Sequence, residues 1–144
     1  ADAAEAAAEV KSCTTNSECD AGKLCIDSKC GMLADLYSTD CDSKCTIKDV
    51  TVTTSDGQLK TVTPGRGDYT KAGALEWSLG EAPASCDSDK MLVPFTIIRN
   101  NYGEKLSESV ITVEEGETSA KLTHPKIADL QFTLKVTDVE TVCS

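Results

Sequence analysis

The sequence lacks most of the residue patterns that enzymes use for catalysis. It has a single His, and it contains no C-x-x-C pair, no G-x-S-x-G, no G-x-G-x-x-G and no phosphate-binding P-loop. Its acidic residues fall in polar turns rather than on apolar strands, where burial would raise the pKa of a carboxyl group. We therefore expect no catalytic residues, no metal site and no cofactor.

Basic residues and long apolar segments are also scarce. The chain has 14 Lys and Arg against 24 Asp and Glu, which gives a net charge of -10. Such a charge disfavours nucleic acid, because phosphates are bound by surfaces rich in Lys and Arg. No apolar run reaches the ~18–20 residues of a membrane-spanning helix. With 40% hydrophobic residues, the chain still has enough apolar side chains for a folded core.

Cysteine, by contrast, is abundant. The eight cysteines are Cys13, Cys19, Cys25, Cys30, Cys41, Cys45, Cys86 and Cys143. An even number of cysteines, most of them in a region with few large apolar side chains, is typical of disulfides formed in an oxidising compartment. A zinc site is the alternative, but structural zinc sites usually bring Cys in C-x2-4-C pairs, often with His. Here the spacing is C-x5-C-x5-C-x4-C, and the only His, His124, lies about 80 residues downstream. We expect a secreted, extracellular protein, or one from another oxidising lumen.

The chain begins with Ala-Asp-Ala-Ala-Glu and has no initiator Met. This start fits a mature secreted protein whose signal peptide has been removed, and it fits an artificial boundary equally well. The Ala- and Glu-rich composition favours a short N-terminal helix. Such a helix is marginal in water unless it docks on the rest of the protein.

A change of composition predicts two regions. Residues 1–45 are rich in Asp, Ser, Lys and Cys, whereas residues 46–144 alternate Val, Ile, Leu and Thr with polar residues. The first is predicted to be an N-terminal segment and a disulfide-rich module, because it has too few apolar residues for its own core. Within it, Leu33, Leu36 and Tyr37 predict a helical turn that packs on the second region.

The second region is predicted to be mainly β, with about seven or eight short strands. Alternation of apolar and polar residues favours an antiparallel β-sandwich and disfavours a parallel α/β sheet. Ser55-Asp56-Gly57 predicts a hairpin, and Leu130–Thr137 is the clearest strand. Pro94 has no N–H, so it predicts an edge or a bulge. The side chains expected to point inward are Val50, Val52, Leu75, Trp77, Leu79, Ile111, Val113, Phe132, Leu134 and Val136.

The cysteine spacing of residues 13–30 resembles small knots of secreted proteins, of the EGF-like and dickkopf-like kind. The resemblance covers about an eighth of the chain. It implies an extracellular module and interlaced pairing, Cys13 with Cys25 and Cys19 with Cys30. It carries no activity, because such knots occur in unrelated proteins. The predicted sandwich that follows resembles the immunoglobulin and fibronectin architecture.

The remaining cysteines leave two arrangements open. We expect Cys86 to bond to Cys143, which would clip the C-terminal segment to a loop, and Cys41 to Cys45 as a small local loop. The competing arrangement joins Cys41 or Cys45 to Cys86 or Cys143 and ties the knot to the sandwich. Spacing alone does not choose between them.

An Arg-Gly-Asp triplet, Arg66-Gly67-Asp68, follows Pro64 and is expected in a loop of the sandwich. On an exposed loop such a triplet can be an integrin ligand, which makes these three residues a candidate binding loop. The alternative is a tight turn in which Gly65 and Gly67 provide backbone freedom.

Other polar or aromatic residues have simpler interpretations. His124 precedes Pro125 and is expected in a solvated turn rather than as a general base. Trp77 lies on the apolar face of a predicted strand and is expected to fill the core rather than to bind a sugar. Acidic turns at Asp40 and Asp42 and at Asp87–Asp89 offer oxygens to Ca²⁺, but no EF-hand loop is present, and solvated turns are expected.

These observations favour a non-catalytic extracellular protein that acts in binding or assembly, as a subunit of a matrix, a filament or a larger complex. A protein partner or self-association is expected, by strand addition at sandwich edges near residues 46–63 and 90–98. The alternative is a protease inhibitor that inserts the knot loop Asp20–Leu24 into a cleft. A third possibility is an accessory subunit in an oxidising lumen.

Overall fold

The computed structural model describes residues 12–32, 36–37, 40–69, 74–81, 84–86, 91–101, 104–124 and 126–143. The expected N-terminal helix, Leu33 and the acidic turn Asp87–Asp89 lie outside these residues. The described part of the chain is mainly β, as predicted, and contains one 3-10 helix, η1 (Asn16–Glu18). Its strands are β1 (Leu24–Ile26), β2 (Lys29–Gly31), β3 (Lys44–Thr54), β4 (Leu59–Val62), β5 (Gly67–Tyr69), β6 (Leu75–Leu79), β7 (Ser85–Cys86), β8 (Leu92–Asn101), β9 (Glu104–Glu114), β10 (Leu122–His124), β11 (Ile127–Phe132) and β12 (Leu134–Cys143). A search of these described residues finds no helix long and apolar enough to cross a membrane.

The strands form three sheets. A six-stranded sheet has the order β2-β1-β9-β8-β6-β5, a second sheet has the order β12-β3-β4, with β7 also paired to β3, and β10 pairs with β11. Neighbours are antiparallel except for β1, which runs parallel to β9 where Ile26 pairs with Val110. The predicted hairpin joins β3 to β4, and Gly57 at its turn has a φ of +85°.

One apolar cluster connects the sheets, as in a β-sandwich. It contains side chains from β3, β4, β6, β8, β9, β10, β11 and β12. Trp77 and Phe95 meet edge to face in it, with ring centroids 6.0 Å apart. Of the side chains predicted to point inward, all are buried except Ile111, which is partly buried and packs against the cluster. The predicted core is therefore confirmed, with Trp77 as a packing residue.

The predicted strand Leu130–Thr137 is wrong as a single element. β11 ends at Phe132 and β12 begins at Leu134, and the two strands pair with different partners. Thr133 lies at the break, where its carbonyl accepts from Ser55 N–H at 3.1 Å and its N–H donates to Ser55 Oγ at 3.2 Å. The turn after β3 thus divides the segment without disturbing its alternation.

The expected free edges are found only in part. β3 lies between β12 and β4, and β8 lies between β6 and β9, so neither is an edge, whereas β4 is one. Pro94 is accommodated in the central strand β8 because β6 ends at Leu79, which pairs with Phe95. Pro94 lies one residue before Phe95, beyond the end of β6. There its carbonyl accepts a hydrogen bond from Gly80 N–H at 2.8 Å, and no N–H of its own is required.

The prediction for the last two disulfides is wrong. Cys41 bonds to Cys86, and Cys45 bonds to Cys143. Strand pairing explains the Cys45 bond, because β12 places Cys143 directly opposite Cys45. The pairing of β7 with β3 brings Cys86 opposite Lys44, close in sequence to Cys41. The expected Cys86–Cys143 and Cys41–Cys45 bonds are therefore replaced by the arrangement that ties the N-terminal region to the sandwich.

The two predicted regions contact each other closely. The strand β1 joins the large sheet, and the expected boundary at residue 45 falls inside β3. Tyr37 is buried, and its hydroxyl donates to the Leu92 carbonyl at 2.8 Å, as its predicted docking requires, whereas Leu36 is exposed. The division into two domains stays a prediction.

Candidate functional site

The N-terminal knot forms the first wall of a cleft. Its disulfides are Cys13–Cys25 and Cys19–Cys30, the interlaced pairing that the resemblance implies. Thr15 begins the helix η1 with a capping box that includes Glu18. Together the two disulfides and the capped turn hold a segment of few apolar residues in a fixed shape.

The knot is attached to β9 by Asp27. Its N–H donates to the Val110 carbonyl at 2.9 Å, and its carboxylate accepts from the N–H of Thr112 at 3.0 Å and from the Thr112 hydroxyl. Asp27 and Ser28 have φ values of +51° and +70°, which form the tight turn between β1 and β2. The turn therefore places the Asp27 carboxylate where Thr112 of the neighbouring strand β9 donates hydrogen bonds to it.

The large sheet forms the second wall. Arg99 of β8 pairs directly with Ser107 of β9, and Ile97 pairs with Ser109. Directly paired residues project from the same face of an antiparallel sheet. The core-facing side chain Ile97 therefore shares its face with Arg99, Ser107 and Ser109. Beyond Ile97, the apolar core continues into a polar surface.

The strand β10 forms the third wall, and two hydrogen bonds connect it to β8. Arg99 Nε donates to the Thr123 carbonyl at 2.6 Å. His124 is buried, and its Nδ1 accepts from Lys126 N–H at 3.0 Å, so Nε2 carries the proton and donates to the Asn100 carbonyl at 2.6 Å. Both ring nitrogens of His124 are therefore hydrogen-bonded to backbone groups.

These three walls enclose a cleft of about 700 Å³. Hydroxyl groups of Ser and Thr line it together with apolar side chains such as Ile111 and Leu122, and Lys121 stands exposed at its border. The volume is in the range of ligand sites in proteins, ~300–1,000 Å³.

Arg99 is the one charged group that is half-buried in the lining of this cleft. Burial lowers the pKa of its guanidinium below the usual value, because desolvation disfavours the charged form. Among the described residues no carboxylate forms an ion pair with it. Within the described part of the chain, the guanidinium of Arg99 is thus a positive charge with no carboxylate in contact with it.

The predicted site residues lie elsewhere. Gly67 begins the edge strand β5, where it pairs with Ser78 and Asp68 pairs with Trp77, and Arg66 lies in the turn just before it. The expected loop is therefore a paired strand end, although Arg66 is exposed. A Cβ added to Gly67 would lie 1.9 Å from the Trp77 carbonyl oxygen, so Gly67 serves a close backbone approach rather than a turn.

The expectation for His124 is wrong, because it is a buried strand residue with its ring bonded to backbone groups. The sulfur atoms of Cys13, Cys19 and Cys30 lie within 4.8 Å of one another, but each belongs to a disulfide, so none of them is a thiolate. All eight cysteines are bonded in this way.

Sequence reasoning missed Arg99, Ser107 and Ser109. A signal was present, since Arg99 follows the apolar run of β8 at the same alternation as Phe95 and Ile97. A charged residue at a strand position whose side chain would otherwise point into the core indicates a polar pocket.

Comparisons with protein-family models, with curated proteins and with solved structures found no match to this chain.

Proposed function

We propose that this chain is a non-catalytic extracellular protein that binds a partner molecule in the cleft between the knot and the sandwich. The observation that carries the proposal is the half-buried guanidinium of Arg99, which has no carboxylate partner among the described residues. Partial removal of a charge from water costs free energy, so binding of a ligand that brings a negative charge to this half-buried cation is favoured.

Rigid walls support a binding role. Two disulfides fix the knot, and Asp27 ties it to β9. A preformed site loses little conformational entropy when a ligand binds, so more of the contact energy appears as affinity. Four disulfides also fit an extracellular or other oxidising location.

The proposal of a non-catalytic role rests on the chemistry of the nearby groups. The ring of His124 is oriented by two backbone partners, and its Nδ1 lone pair already accepts a hydrogen bond. The cysteines are all in disulfides. These residues therefore support the walls of the cleft and are not placed to act as a base or a nucleophile.

A display library of peptides, selected on the immobilised protein with its disulfides intact, tests the proposal. Ala120 is exposed and lines the cleft, so Ala120→Trp fills it without disturbing the core. Leu59→Trp, at an exposed position on β4, is the matched control. Selected peptides should bind Ala120→Trp at least tenfold more weakly than the control. Equal binding by both variants, a failure of both peptides and small carboxylic acids to bind, or substrate turnover that Ala120→Trp abolishes would each overturn the proposal.

The inhibitor alternative has one observation in its favour. The loop from Asp20 to Lys23 is exposed, and the flanking residues Cys19 and Cys25 are each held by a disulfide. However, Lys23 N–H donates to the Asp20 carbonyl at 3.0 Å, which makes a closed turn and not an extended protease-binding segment. A panel of proteases that cleave after basic residues tests it: inhibition lost in Lys23→Ala would favour this alternative.

A further inference from the structure

The cleft contains a set of hydrogen-bond donors that point to the chemical class of its ligand. We propose that it binds a carboxylate carried on an apolar body, with the carboxylate on Arg99 and the hydroxyls of Ser107 and Ser109 beside it. This inference rests on the proposed function and names the ligand class of the same site.

Arg99 is held in a fixed orientation. Its Nε donates to the Thr123 carbonyl at 2.6 Å, which uses one of the five guanidinium N–H donors. Among the described residues, the two terminal nitrogens have no hydrogen-bond or ion-pair partner, neither carbonyl nor carboxylate. A guanidinium presents its remaining donors as a planar fork, which matches the two oxygens of a carboxylate.

Asp27 is the acidic residue in the lining of the cleft, and it is already engaged. Its carboxylate accepts from the N–H and the hydroxyl of Thr112. It therefore fastens the knot to β9 instead of neutralising Arg99. The chain as a whole has 24 acidic residues, so the missing counter-charge at Arg99 is not explained by a shortage of carboxylates.

Two hydroxyls complete the polar part of the site. Ser107 is the direct cross-strand neighbour of Arg99, and Ser109 follows on the same face of the sheet. Both are partly buried and line the cleft, and within the described residues neither hydroxyl has a hydrogen-bond partner. A carboxylate oxygen bound to Arg99 has capacity for these further donors.

Charge and lining favour a carboxylate on an apolar body over a phosphate. One half-buried cation balances a single negative charge, whereas a phosphate dianion generally requires more, and the nearby Lys121 is exposed. The net charge of -10 further disfavours a multiply charged anion. Ile111 and Leu122 add apolar surface next to the donors. The source is either a free carboxylic acid or a carboxylate of a polypeptide with neighbouring apolar side chains.

Titration with 4-methylpentanoate, followed by amide and Arg side-chain NMR signals, tests the inference. Its uncharged isostere, 4-methylpentanamide, is the control ligand. We expect saturable shifts at Arg99 Nε and at the Ser107 and Ser109 amides with the acid, and at least tenfold weaker binding with the amide. A tetrapeptide that ends in Leu with a free carboxylate, compared with its C-terminal amide, distinguishes a polypeptide source from a small acid.

Variants make the assignment specific. Arg99→Gln should weaken binding of the acid at least tenfold. The double variant Ser107→Ala with Ser109→Ala should weaken it several-fold, and it keeps the Arg99 hydrogen bond to β10. The double variant therefore remains informative if Arg99→Gln fails to fold. Equal shifts from acid and amide, or acid binding unchanged in a folded Arg99→Gln or in the Ser variant, would overturn the inference. If Ala120→Trp still weakens peptide binding while the acid and the amide bind equally, the proposed function stands and only the carboxylate class of ligand is wrong.

Discussion

Cys45 and Cys143 face each other directly across the β3–β12 pair, with 3.9 Å between their Cα atoms and a disulfide joining their side chains. The bond closes 98 residues and fastens the last strand to the centre of its sheet. Cys45 is buried whereas Cys143 is exposed, so the bridge joins the surface end of the last strand to a buried position on β3.

The first prediction concerns this bond. The double variant Cys45→Ala with Cys143→Ala should lower the free energy of unfolding by roughly 4–5 kcal/mol, since the chain-entropy model values so long a loop at about that amount. Urea unfolding of the variant and the parent measures the difference. The Cys41–Cys86 pair closes 45 residues, and its removal is the matched control, with an expected loss of about 4 kcal/mol. A loss below about 1 kcal/mol at Cys45–Cys143 would contradict the stapled terminus.

Phe132 provides a test of the core. It is 7% exposed and belongs to the apolar cluster, so Phe132→Ala should cost roughly 3–5 kcal/mol, from lost burial and a residual cavity. Leu59 is 69% exposed on β4, and Leu59→Ala should change stability by less than about 0.5 kcal/mol. Chemical denaturation of both variants makes the comparison. Similar values for the two would show that Phe132 does not fill the core.

Gly67 tests the contact between β5 and β6. Gly67→Ala places a methyl group against the Trp77 carbonyl, so the strands must separate, at a cost of about 2–3 kcal/mol or more. Gly57 has a φ of +85° and no heavy atom near an added Cβ, so Gly57→Ala should cost only the backbone strain of ~1–2 kcal/mol. Thermal unfolding of the pair separates the clash from the strain. A smaller loss at Gly67 than at Gly57 would refute the close approach.

Tyr37 gives a prediction about alkaline pH. Burial raises the pKa of its hydroxyl, so the folded state retains the proton more strongly than the unfolded chain, whose tyrosines titrate near ~10. The contribution of this group to stability is complete below pH ~10 and is lost as the pH rises further. Tyr37→Phe should be less stable at pH 7 by ~0.5–1.5 kcal/mol, because its hydrogen bond to Leu92 is gone.

Above pH ~10 the two proteins should converge, since Tyr37 ionises in the unfolded parent while the folded parent keeps its proton, which stabilises only the unfolded state of the parent. Unfolding free energies of both proteins between pH 7 and pH 11 check this. The other ionisable groups are the same in both, so the difference isolates Tyr37. A constant difference across this range would contradict the burial of the hydroxyl.

Local patterns were reliable guides to the strands and to the core. Leu75, Trp77 and Leu79 alternate with polar residues, and all three are buried. The Asp56-Gly57 pair is also where the chain turns between β3 and β4. These features depend on residues within a few positions of one another, where the two-residue period of a strand directly sets which side chains share a face.

The break at Thr133 was not visible in the same pattern. Alternation continues through Phe132 and Leu134, because both side chains enter the same core. The two strands are separated at Thr133 by its two hydrogen bonds with Ser55, which lies far away in the sequence. The alternation of apolar and polar residues indicates which side chains are buried, but it does not indicate which strand each segment pairs with.

By itself, the sequence determined that this protein is mainly β, stapled by disulfides and built around an alternating apolar core, because period, turn chemistry and cysteine count are local or compositional properties. Only the tertiary structure decided that Cys45 meets Cys143, that β8 is central, and that Arg99 enters a cleft beside Ser107. Each of these depends on the register between strands distant in the chain. That register is set by packing the whole core at once, and no short stretch of residues contains it.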